Sequence, residues 1–241
     1  MSKRFQELDR RPTPLGELVL RRRWDPLVDR EVYEIKLDQE FLMSSLFTVA
    51  EVELAGLALV ELTGDELDVA VGGLGLGYTA RTVLESADVG SLLVVEALGE
   101  VIEWHAEGLI PAGRELTADP RCTLLHGDFF ALLRSGNGLD PADPGRRFDA
   151  VLVDIDHSPR HLLHPDHADF YQPAGLARVA ECLQPDGVFA LWSNDPPDDA
   201  VTARLAEVFG RVRADVVSFD NPLQDRAATN TIYLARKAAA G

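Results

Sequence analysis

The chain is expected to fold as an α/β protein, a doubly wound and mostly parallel sheet of seven strands carrying a small β appendage at its N-terminal side. Three observations point there. From Leu67 onward, short apolar runs alternate with helical periodicity, the pattern of a parallel sheet covered on both faces. The first of these runs, Leu67-Asp-Val-Ala-Val71, breaks into four glycines within six positions, Gly72 to Gly77. Before it, Glu31 to Leu37 and Glu40 to Met43 alternate about Asp38-Gln39, which reads as a hairpin. The division that follows is an appendage with a linking helix over 1–62 and the main domain over 63–241.

Taken in order, residues 1 to about 30 are polar and Arg-rich and hold Pro12, Pro14 and Pro26, so an irregular lead with one short strand at Glu17 to Arg21 is expected. After the hairpin, Ser44 or Ser45 caps a helix running to about Leu62. Tyr78 to Ser86 is a second helix, and Ser91 to Glu96 is a buried strand ending in a carboxylate. A helix over Gly99 to Gly108 leads to a loop with Pro111, Gly113 and Pro120, then to a strand at Cys122 to His126. Gly- and Pro-rich residues 135–147 form a loop before the strand Phe148 to Asp154. A long polar loop, Ile155 to Gln172, precedes a helix to about Leu183; Pro185-Asp186-Gly187 then turns the chain into the strand Val188 to Trp192. A helix from Asp198 to Phe209 and strands near Arg213 to Phe219 and Thr229 to Ala235 close the chain.

Composition narrows the function classes. At 241 residues and 46% apolar, the chain can bury one large core. Its formal charge of −17 opposes nucleic acid and anionic membrane as partners, because a local basic patch would have to overcome long-range repulsion. The one basic run, Arg21-Arg22-Arg23, reads as a solvated strand or hairpin edge. Cys122 and Cys182 sit in separate apolar segments as reduced core thiols, and no apolar leader or membrane-length run is visible, so a cytoplasmic location is expected.

Strand, glycine turn and helix N-terminus together make a nucleotide-type site, since backbone without side chains admits a ligand to the first N–H groups of the helix. Gly73, Gly75 and Gly77 would supply that turn, and Glu96, about twenty residues on, can accept both hydroxyls of an adenosine ribose. In a doubly wound sheet ligands gather at the carboxyl ends of strands. Here those ends carry the glycine turn, Glu96, Gly127-Asp128, Asp154-Ile-Asp156-His157 and Ser193-Asn194-Asp195, one acidic crescent. Tyr78 could cover a ligand or simply be buried in the core, and Trp104 with His105 could flank an adenine or simply pack.

Residues from about Leu67 to Asp195 resemble a class I S-adenosylmethionine-binding domain, the methyltransferase-type Rossmann fold. The wider chain, after about residue 30, is similar to the spermidine synthase (polyamine aminopropyltransferase) family, which shares the small β domain, the glycine turn, the "Val-Glu" and "Gly-Asp" strand ends and a later strand ending in Asp. The resemblance implies that Gly73, Gly75 and Gly77 face the methionine-like tail, that Glu96 binds the ribose, and that Asp128 with the Phe129 backbone binds the adenine amino group. It further implies Asp154 as the general base for an attacking amine, S-adenosylmethionine or its decarboxylated form as co-substrate, Asp156 and His157 beside the acceptor, and a homodimer. The sequence departs from the family in four places. Leu76 stands where the glycine turn usually has an Asp; Val49-Ala50-Glu51 lacks the family's Tyr; His157 replaces a second Asp; and Asn221-Pro222 replaces a late Tyr-Pro.

Two other readings share this evidence. Asp154-Ile-Asp156-His157 and Ser193-Asn194-Asp195 beside Trp192 are similar to the metal site of catechol-type O-methyltransferases, where Mg²⁺ would orient a phenol acceptor for methyl transfer. The amine acceptor is favoured over the phenol, and Mg²⁺ is not favoured. The other reading is a non-catalytic binder of an adenosyl ligand. His157, His161, His164 and His167 lie within eleven positions at no established zinc spacing, and are read as part of an exposed lid.

Overall fold

A computed structural model describes residues 5–221, 223–224 and 226–239. Pro222 of the Asn221-Pro222 pair lies outside the described residues. The chain opens with an antiparallel meander, β1 (Phe5–Thr13), β2 (Gly16–Asp25), β3 (Arg30–Leu37) and β4 (Glu40–Ser44), hydrogen-bonded in that order. The short strand expected at Glu17 to Arg21 lies within the ten-residue β2, but the rest of the lead is not irregular: the nine-residue β1 occupies it. Pro12 is tolerated because β1 is an edge strand, and Pro14 falls in the β1–β2 turn. The arginine run is not at an edge either. It lies on the inner strand β2, where Arg21 and Arg23 flank the buried Glu34 with Nε–Oε separations of 2.6 and 2.9 Å.

Helix α1 (Val49–Leu59) follows, begun by Thr48 rather than by a serine cap. Ser44 ends β4, and the Ser45 hydroxyl instead accepts the Tyr33 amide at 2.9 Å. The rest alternates as expected: β5 (Leu67–Gly72), α2 (Tyr78–Glu85), β6 (Val89–Glu96), α3 (Gly99–Ala106), α4 (Gly113–Ala118), β7 (Cys122–His126), α5 (Phe129–Ser135), β8 (Phe148–Val153), α6 (Pro173–Glu181), β9 (Leu183–Ser193), α7 (Asp199–Ala206), β10 (Arg211–Asn221) and β11 (Arg226–Arg236). Two elements were missed. Residues 113–118 form a short helix inside the expected loop, and a 3₁₀ helix, Pro165–Tyr171, interrupts the long loop after β8. Pro185 to Gly187 does not break β9, because Asp186 takes a left-handed φ of 61° and the strand continues through the irregularity.

The seven strands run in the order β10-β11-β9-β8-β5-β6-β7. Pairings from β9 across to β7 are parallel, and β11 joins β9 and β10 antiparallel. The chain leaves β5 toward β6 and β7, then returns to β8 on the other side of β5. That reversal opens a crevice above the carboxyl ends of β5 and β8. One apolar cluster joins Leu18, Leu20 and Ile35 of the small sheet to Leu54 of α1 and Val69 and Val71 of β5, so shared burial helps tie the appendage to the main sheet. Among the described residues no helix is long and apolar enough to cross a membrane. Cys182 is buried, Cys122 partly so, and both are free thiols that burial pushes up to about 11.

Candidate functional site

Four strand tips stop at one level. Gly72 pairs with Val153, the Asp154 amide donates to the Gly72 carbonyl at 2.9 Å, and the Gly127 amide donates to the Glu96 carbonyl at 2.9 Å. The glycines then do what their spacing required. Gly73, Gly75 and Gly77 have φ of 94°, 48° and 86°, conformations that L side chains avoid. A Cβ on Gly73 would lie 2.1 Å from the Asp154 carbonyl oxygen, so the bend seats directly on the tip of β8.

Glu96 points at the bend and is bonded to its backbone. Its Oε2 accepts the Leu74 amide at 2.9 Å and its Oε1 the Leu98 amide at 2.8 Å. Burial pushes its carboxyl up, while the amides of Leu98, Leu74, Gly75 and Ala97 pull the other way. The bend's other amides are also engaged, Gly73 with the Val95 carbonyl and Gly77 with that of Leu74. The bend is thus a turn that the protein's own acid helps hold in shape. Each carboxylate oxygen has further lone pairs, which leaves Glu96 able to meet a hydroxyl as well.

Asp154 stands at the centre. Burial pushes it up to about 6, against the Thr79 hydroxyl, which donates to its Oδ2 at 2.8 Å. Beside it, Glu51 of α1 is pushed up to about 8, first by burial and then by the negative charge of Asp154. Burial outweighs the hydrogen bond in one case and is reinforced by like charge in the other, so both carboxyls keep their protons to higher pH than free side chains do. Thr79 Oγ1 also lies 3.4 Å from the Glu51 carbonyl, tying α1 and α2 to the same spot. Glu51 and Thr79 were not singled out from sequence. The available signal was Glu51 in a helix expected to precede the main domain, and it was read only for its missing Tyr.

Other expected site residues divide. Asp128 is exposed and caps α5, accepting the Ala131 amide at 2.9 Å, with Phe129 buried against Gly72 and Phe170. Tyr78 is half-buried with Arg81 stacked over its ring at 5.0 Å. His157 is half-buried in the crevice, its carbonyl accepting the Asn194 amide at 2.8 Å. Asp156 corrects the expectation of an acceptor-facing acid. Its carboxylate is buried and accepts from Leu163 N, His167 Nδ1 and Tyr171 Oη at 2.7, 2.8 and 2.8 Å, so it holds its own loop in place. His167 also stacks on Phe130 at 4.1 Å, and His164 caps the 3₁₀ helix; these histidines are structural. His105 does not flank an open site: it is fully buried beneath the bend, and Trp104, also fully buried, donates to Asp9 of β1 at 2.8 Å.

The residues of the metal reading do not assemble. The Asn194 side-chain oxygen accepts from Asn230 at 3.0 Å, Asp195 sits beside His161, and Asp156 is spent on its loop. Among the described residues, no three His, Cys, Asp or Glu side chains are grouped to hold a metal ion. Next to this region a cleft of about 360 Å³ is lined by Pro159, Arg160, Ser193, Asp195 and Tyr233 among others.

A seven-stranded sheet of this order, with a glycine bend at its switch point and a small antiparallel sheet in front, is a fold shared with solved spermidine synthases. The chain matches spermidine synthase from Thermotoga maritima with a TM-score of 0.73 at 18% identity, covering 98% of this chain and 74% of that one. It matches a spermidine synthase in complex with the transition-state analogue AdoDATO with a TM-score of 0.72 at 18% identity, covering 98% and 73%. In sequence it is 32% identical over 165 residues to polyamine aminopropyltransferase 2 of Pseudomonas aeruginosa, covering 63% of this chain and 43% of that protein. It is 32% identical over 109 residues to the polyamine aminopropyltransferase of Corynebacterium efficiens, covering 45% and 20%. The aligned part therefore spans less than half the length of these curated relatives. No family model matches the chain. The chain thus shares its fold with solved spermidine synthases and is similar over part of its sequence to polyamine aminopropyltransferases.

Proposed function

We propose that the protein is an alkyl transferase that binds an S-adenosyl sulfonium compound, with decarboxylated S-adenosylmethionine favoured, and passes its aminopropyl group to an amine. The observation that carries this reading is Asp154, which directly follows β8, seats its carbonyl against Gly73 of the bend and takes the Thr79 hydroxyl on its carboxylate at 2.8 Å. The cationic sulfur makes the adjacent carbon electrophilic. The amine attacks that carbon, the carbon–sulfur bond breaks toward a neutral thioether, and Asp154 takes the proton the nitrogen sheds. Thr79 occupies one oxygen of Asp154 and leaves the other for that proton. Holding both reactants above the strand tips supplies most of the acceleration. Glu96 is assigned to the ribose, Asp128 with Phe129 to the adenine, and His157 and Tyr78 to the crevice walls.

The methyl-transfer reading with Mg²⁺ is the weaker one, because its oxygen donors are drawn to separate protein partners. The test is turnover with decarboxylated S-adenosylmethionine and a panel of amines, followed as release of methylthioadenosine. Asp154→Asn is expected to lower the rate by about 100-fold or more while leaving nucleoside binding intact; an unchanged rate would remove Asp154 as the base.

A further inference from the structure

The peptide group joining Gly75 to Leu76 is held at both ends. His105, fully buried, donates from Nε2 to the Gly75 carbonyl at 2.9 Å. The Leu76 amide donates to Met43 Sδ at 3.1 Å. Because the C=O and N–H of a trans peptide point in opposite directions, His105 and Met43 sit on opposite sides of the bend, and the peptide cannot turn over without losing both partners. Met43 comes from β4 of the small sheet, and its sulfur lies 2.8 Å from where a Cβ of Gly75 would be, so the thioether covers the bend. With Leu74, Gly75 and Gly77 amides engaged by Glu96 and the Leu74 carbonyl, the Leu76 N–H is the one whose acceptor is only a weak thioether.

A carboxylate seeks charge-assisted N–H donors, whereas a plain ammonium or alkyl tail does not. Leu74 and Leu76 are buried and offer no charge, and Glu51 and Asp154 repel a further anion. We propose that Met43 is a specificity-determining residue for the donor: by covering the Leu76 amide it denies the bend to a carboxylate-bearing tail and so sorts S-adenosyl compounds by whether that carboxylate is present. This rests on the S-adenosyl reading above, and it assigns to the N-terminal sheet a part in choosing the ligand.

Calorimetric titration separates the two. Wild type, Met43→Ala and Met43→Leu are each titrated with methylthioadenosine, S-adenosylmethionine and decarboxylated S-adenosylmethionine. Methylthioadenosine has no tail and reports whether the adenosyl site is intact in each protein. The expected result is that wild type prefers the decarboxylated compound by about tenfold or more. Both variants should lose about tenfold of that preference through tighter S-adenosylmethionine binding, with methylthioadenosine unchanged. A preference unchanged in both variants, with methylthioadenosine still bound, overturns the role of Met43 alone. Failure of wild type to bind methylthioadenosine overturns the S-adenosyl reading and this proposal with it.

Discussion

Asp154 and Glu51 make the first expectations concrete, because their protonation is set by burial and by each other. In its proposed role as base, Asp154 works only when ionised, so turnover should rise with pH through about 6 and level off above it. Stability runs the other way. Glu51 goes from about 4.5 unfolded to about 8 folded, so the folded state holds its proton more tightly; that stabilisation is complete below about 4.5 and is lost as pH rises through about 8. Glu51→Gln cannot titrate, and thermal unfolding at pH 8 should therefore occur a few degrees higher than in wild type, with a smaller difference at pH 5. Asp154 and Glu96 were legible from sequence because each ends a recognisable buried strand. Glu51 was not, since nothing in a local pattern says that a residue more than a hundred positions away will share its burial and bring a like charge beside it.

The glycine bend and the loop after β8 show how far local patterns reach. The bend was readable from spacing alone, and Gly73→Ala should cost about 3 kcal/mol or more, because a Cβ there meets the Asp154 carbonyl and the φ of 94° is strained. Urea unfolding checks this. The loop was readable only as polar. Its order comes from Asp156 gathering the Leu163 amide, His167 and Tyr171, three partners on a buried carboxylate. Asp156→Ala should destabilise by about 3 kcal/mol, since it strands buried donors, while methylthioadenosine affinity should stay near wild type. A large loss of affinity at unchanged stability would return Asp156 to the ligand. The N-terminal strand β1 was hidden by Pro12, which counts against a strand only when it is central, while β2 was legible over only part of its length.

Across the whole molecule, the small sheet and the seven-stranded sheet meet in one apolar cluster, and α1, between them in the chain, sets Glu51 beside Asp154. The parallel order was predictable from alternation, because each strand's apolar run demands cover on both faces. The contact of β4 with the glycine bend was not, because it depends on how two separately patterned sheets pack. The proposed function requires the bend, Glu96 and Asp154 to form a berth for an adenosyl group. A crystal structure with methylthioadenosine bound tests it. The account predicts the ribose against Glu96 and the thioether sulfur facing Asp154; a nucleoside lodged elsewhere, or none bound at all, would contradict it.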